Sequence, residues 1–201
     1  MSFEPEQHPQ GTPEPRTERV TYLLVDGENI DATIGMNVLG RRPNPEERPR
    51  WDRITQFSHE VWNQTVIPLF FLNASSGQMP LPFVQALLAM GYRPIPLSGE
   101  VHEKVVDLGI QKTLEILKGR PGDVLLASHD GDFLPQVEDL LDGSRKVGVL
   151  CFREFLNTRL AELDQKGLQF FDLEDRVGAF NAPLPRVRII PIEDFDPTRF
   201  I

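Results

Sequence analysis

Six short runs rich in apolar, β-branched and aromatic residues recur along the chain, with amphipathic helical patterns between them. This alternation restricts the fold more than any other feature. The runs are VTYLLV (20–25), TVIPLFFL (65–72), YRPIPL (92–97), DVLLAS (123–128), KVGVLCF (146–152) and LQFFDL (168–173). Strands covered on both faces read as nearly continuous apolar runs, as most of these do. Between them, WDRITQFSHEVWN (51–63) repeats its apolar residues near the helical period, and PFVQALLAM (82–90) opens on a proline and stops before Gly91. KVVDLGIQKTLEIL (104–117), DFLPQVEDLLD (132–142) and REFLNTRLAELD (153–164) complete the helical set. The pattern predicts an α/β fold: a parallel sheet of five to six strands, helices on both faces, and right-handed crossovers. Pro94 and Pro96 assign the third run to a sheet edge. Ligands of such sheets sit beyond the carboxyl ends of the strands, at the topological switch point.

The segments outside the alternation divide the chain. Residues 1–18, rich in Pro, Glu, Gln and Thr, are expected to be a disordered tail. Residues 19–176 form the expected domain, with a Pro/Arg-rich insertion at 36–50 between the first strand and what reads as the first helix. Residues 177–201 form an extension whose RVRIIPI segment suits either a folded-back edge strand or the arm of a homodimer. The lone cysteine, Cys151, excludes an intrachain disulfide and a cysteine-cluster zinc site, and its apolar surroundings mark it as a buried thiol. No apolar stretch approaches the ~18 residues of a membrane span, and the N-terminal segment lacks the apolar centre of a signal peptide. A cytoplasmic protein is expected. The net charge of −9 argues against general coating of nucleic acid. A nucleic-acid partner would need a local basic surface and cations over a local acidic one.

Such an acidic surface is foreshadowed where the strands end. The first strand runs into Asp26, Glu28 and Asn29, and the fourth into Ser128, His129, Asp130 and Asp132. Lys104 and Asp107, at i and i+3, open the helix that follows the third strand. All three groups fall on one predicted edge of the sheet. Carboxylates gathered there repel one another and stay ionised only beside a cation. Mg²⁺ or Mn²⁺ is the natural choice for an all-oxygen ligand set, and such ions suit displacement at phosphorus. Each residue also has a plainer reading: Asp26-Gly27 as a turn, Asp132 as a helix cap, Asp107 as a partner of Lys104 alone. His129 reads as a turn residue, with ligand and proton shuttle as the other options.

The ordered set LLVDGENI, EKVVDLGIQKTL and VLLASHDGDFLPQVEDL resembles the NYN domain of the PIN-like nuclease superfamily, in its bacterial LabA-like form. The resemblance spans about residues 20–173. It implies a Rossmann-like sheet with central strand order 3-2-1-4-5 and Mg²⁺- or Mn²⁺-dependent hydrolysis of RNA. It also implies that Asp26, Asp107, Asp130 and Asp132 form the metal-binding and catalytic acidic set. Asn29, Ser128 and Lys104 match the accompanying polar and basic positions. His129 and Val105 stand where the family commonly has glycine.

RNA would also need cations to meet its phosphates. Arg41, Arg42, Arg48, Arg50 and Arg53 cluster after the first strand, against Glu46, Glu47 and Asp52, and Trp51 stands among them. This segment reads either as a lid over single-stranded RNA, with Arg41, Arg42 and Trp51 as contacts beside Ser128 and His129, or as a structured loop whose arginines pair internally. The leading expectation is a metal-dependent ribonuclease. The alternative is a weakly active or inactive module that binds RNA or a protein partner as a regulator. A phosphatase is disfavoured because Glu28 stands where a second aspartate would be needed, and a dinucleotide enzyme because no GxGxxG is present.

Overall fold

In a computed structural model, residues 19–186, 190, 192, 195–199 and 201 are described. The tail predicted for 1–18 and most of RVRIIPI lie outside them. The six strands are β1 (Val20–Asp26), β2 (Thr65–Asn73), β3 (Arg93–Leu97), β4 (Asp123–Ala127), β5 (Val147–Cys151) and β6 (Gln169–Asp172). They form one sheet of order β3-β2-β1-β4-β5-β6, parallel throughout. The chain builds outward from β1 in one direction, then returns to β1 and builds the other way from β4. The switch point therefore lies between β1 and β4.

The period-two geometry of a strand divides the core into two layers. Leu23, Val25 and Phe70 face one layer, with Ile54 of α2 (Trp51–Glu60) and Leu87 of α3 (Leu81–Ala89). Leu24, Phe71 and Leu126 face the other, with Ile110 and Leu114 of α4 (Val105–Lys118) and Val137 of α5 (Leu134–Leu140). Every residue of β4 and β5 is buried, Cys151 included. Truncating one of these large side chains to alanine typically costs about 2–5 kcal/mol. Among the described residues, no helix is long and apolar enough to cross a membrane.

Three expectations need correction. A helix, α1 (Gly27–Thr33), follows β1 directly and continues as a π-helical stretch, Ile34–Leu39. It is anchored by Ile30 and Ile34, both fully buried. Only the remainder of the expected insertion, from Gly40 to Arg50, is loop and 3-10 turn. The helix expected at 153–164 is broken into two 3-10 segments around the short α6 (Thr158–Ala161), because Asn157 caps a new start by accepting from the Arg159 N–H. The chain also does not leave the domain at 176. Val177, Ala179, Phe180 and Leu184 are buried in the first layer. The Arg53 guanidinium donates to the Gly178 and Phe180 carbonyls at 3.2 and 2.7 Å. Among the described residues, no strand follows β6.

Candidate metal centre

Asp26 closes β1, and β4 lies beside it in register, with Val25 opposite Ala127. The residues after each strand therefore meet above the switch point. Three carboxylates converge there: Asp107 from the first turn of α4, and Asp130 and Asp132 from the turn after β4. Each offers an oxygen, and these atoms all lie within 4.8 Å of one another. The turn is held locally, since Asp130 accepts from the Asp132 N–H at 2.9 Å and the Asp130 N–H donates to Ser128 Oγ at 3.2 Å. Lys104 Nζ lies 2.7 Å from Asp132 and 3.3 Å from Asp107, so the ammonium ties two of the three together. Its hydrogen bonds to Asp132 and Asp107 push the lysine pKa up. Burial pushes Asp107 up, Lys104 opposes that, and Asp130 and Asp132 add to it. The donor set is all oxygen, mutually repelling, and already bridged by a cation, which is the chemistry a hard divalent ion would meet.

Asp26 stands behind this group and not within it. It is 2 % exposed, accepting from the Asn29 N–H and Ser128 Oγ, both at 3.1 Å. Burial pushes its pKa up to about 7. The Asn29 N–H and Ser128 oppose the rise, and the charges of Asp107 and Asp130 add to it. Of the four aspartates expected to hold a metal, three lie close together and Asp26 is buried against them. Glu28 is exposed on the first turn of α1.

The polar positions also depart from expectation. Ser128 is fully buried and donates to Asp26. His129 is buried too, and is not a surface turn residue. Its Nε2 accepts from the Phe152 N–H at 2.8 Å. That leaves Nδ1–H as the donor to Asn29 Oδ1 at 3.2 Å, which the His129 N–H also reaches at 2.8 Å. Burial, with the Arg186 charge behind it, depresses the imidazole to about 4 and keeps it neutral. Asn29 is consequently a positioning residue. Its carbonyl is turned to His129 and its backbone N–H to Asp26.

Arg186 belongs to this support and was not foreseen. Its side chain is 2 % exposed and pairs with Asp172, Glu174 and Glu154. The guanidinium lies 4.4 Å from the centre of the Phe152 ring, on which His129 also stacks. Its partners are 12 to 32 residues away, so no local pattern announces it.

Most of the arginine segment is paired within the protein. Arg41 binds Glu47 at 2.6 Å, Arg48 binds Asp31 at 2.8 Å and Arg50 binds Asp52 at 3.0 Å. Trp51 packs edge-on against Phe70, centroids 4.9 Å apart, so its ring is not presented for base stacking. Arg42 alone of the five has an exposed guanidinium with no partner among the described residues.

No protein-family model matches the chain, and no curated protein matches it. The fold is similar to a crystal structure of a protein of unknown function from Vibrio parahaemolyticus. The likeness has a TM-score of 0.61 and 19% identity, covering 81% of this chain and 98% of that one.

Proposed function

We propose that this chain hydrolyses phosphodiester bonds of single-stranded RNA, with Mg²⁺ or Mn²⁺ held by Asp107, Asp130 and Asp132. The observation that carries the reading is the convergence of these carboxylates, with Lys104, at the switch point of a parallel sheet. The motifs resembling the NYN group support the same assignment. A divalent ion bound there would polarise a phosphoryl oxygen and lower the pKa of a coordinated water. With an ion held there, Asp132 would no longer need Lys104, and the Lys104 ammonium would be placed to meet the scissile phosphate. Asp26, buried behind the group, adds negative charge that favours cation binding once ionised. Ser128, Asn29 and His129 hold Asp26 and the Asp130 turn in place.

The test is cleavage of end-labelled, mixed-sequence single-stranded RNA in Mn²⁺, Mg²⁺ and EDTA. Wild type and the Asp130→Asn/Asp132→Asn double variant are prepared identically. The expected outcome is metal-dependent cutting that falls by about 10³-fold in the double variant. Intact RNA with both proteins, or equal cutting by both, overturns the proposal. RNA retained without being cut would identify a binding module.

A further inference from the structure

We infer that the cleft beside the π-helical stretch after α1 is a second RNA subsite, taking a nucleotide of the same strand with its phosphate on Arg42 and its base against Met36. This rests on the RNA reading above and adds where the strand runs. π-Helical turns are uncommon and concentrate at functional sites. Here the stretch Ile34–Leu39 ends at Gly40, whose φ of 64° turns the chain back on itself. The Arg41 N–H then donates to the Gly35 carbonyl at 3.0 Å. The return is close: a Cβ on Gly35 would lie 3.2 Å from the Arg41 carbonyl oxygen and 3.3 Å from the Pro43 ring. The result is an open cleft of about 510 Å³ between the helix and residues 40–43.

The lining has the chemistry of a nucleotide site. Asp31 is neutralised by Arg48, and Arg41 by Glu47. Arg42 therefore contributes the one unpaired guanidinium on the lining. Met36 is 77% exposed, and its polarisable thioether suits a flat aromatic base. The cleft is joined to the acidic edge by a short stretch of chain. Gly35 follows Asp26 by nine residues of continuous helical chain, roughly 13 Å at helical rise.

The experiment measures binding of a fluorescein-labelled 12-nucleotide single-stranded RNA to the full chain by anisotropy, with Ca²⁺ in place of Mg²⁺ or Mn²⁺ so that the acidic group is neutralised without supporting cleavage. Wild type, Arg42→Ala, Met36→Ala and Arg93→Ala are compared over a salt series. Arg42 and Met36 are exposed, so the fold survives their replacement. Arg42→Ala should weaken binding about five- to tenfold, and lower the log–log salt slope by about 0.7. Met36→Ala should weaken it about threefold with the slope unchanged. Arg93→Ala, on the edge strand, should change neither. If wild type binds and the Arg42 and Met36 variants bind equally with the same slope, the subsite is wrong and the RNA reading stands. If wild type itself binds no RNA, both fall together.

Discussion

Two buried carboxylates stand on neighbouring strands at opposite ends of the sheet. Asp123 opens β4 and Asp26 closes β1, and they are 0 % and 2 % exposed. Burial alone would raise the pKa of each. At Asp123 that effect is overcome by Arg19, the Lys146 N–H and Gln64, and the pKa falls below the usual carboxylate value. At Asp26 two hydrogen bonds do not suffice, Asp107 and Asp130 add repulsion, and the pKa rises to about 7. The difference separates a carboxylate that serves the fold from one that the fold tolerates. Position at the carboxyl edge does not decide the matter, because Asp172 ends β6 on that same edge and is held by Arg186.

The strongest test of the contrast is Asp123→Ala. It strands Arg19, Gln64 and the Lys146 N–H, which all donate within 2.8 Å. A loss of about 3 kcal/mol is expected in urea unfolding, about 1 kcal/mol for each stranded donor; a loss below about 1 kcal/mol would mean that Asp123 is not structural. Next comes Arg186→Ala, which leaves Asp172, Glu174 and Glu154 facing one another. It should cost about 3 kcal/mol and, by loosening Phe152 and His129, reduce RNA cleavage. Rescue of cleavage by Arg186→Lys would show that charge suffices, whereas no rescue is expected if the flat guanidinium is needed on the ring.

The smallest effect has the opposite sign. Asp26→Asn should stabilise the metal-free protein at pH 8 by on the order of 1 kcal/mol, about 2–4 °C in Tm. Its pH dependence is distinctive. Because the folded value is raised, the stability Asp26 contributes is complete below its unfolded pKa of 3.8 and is lost as pH rises through about 7. His129 runs the other way: its contribution is complete above 6.5 and is lost as pH falls toward about 4. The two offset each other in wild type between roughly pH 4 and 6.5. In Asp26→Asn the histidine is unopposed, and stability should climb across that interval. A parallel profile in both proteins would show that Asp26 is not shifted.

The six strands and their parallel pairing were legible because they rest on local apolar runs. Pro94 and Pro96 placed β3 at the edge correctly. The acidic group was legible because the fold class sends every strand's carboxyl end to one edge. What escaped depends on long-range pairing. His129 follows a strand and immediately precedes Asp-Gly-Asp, which reads as a turn, yet its ring is claimed by the N–H of Phe152. Trp51 lies among arginines in sequence but docks on Phe70 of another element. α1 was hidden because Gly27 and a scarcity of apolar residues weaken its periodic signal, while burial of Ile30, and of Ile34 just after it, supplies the missing stability. Asn157, by contrast, was a visible cap signal inside a pattern read as continuous.

The prolines of β3 have a consequence beyond marking an edge. They alternate at 94 and 96, so both belong to the same row of main-chain groups, and a proline has no N–H to give. With β2 bonded through the other row, the outward side of β3 offers carbonyls without matching donors. A strand from another molecule could not zip onto it. At high concentration or during slow folding, this flank of the sheet is therefore closed to templated growth, which leaves the β6 edge, among the described residues, as the one that another strand could extend.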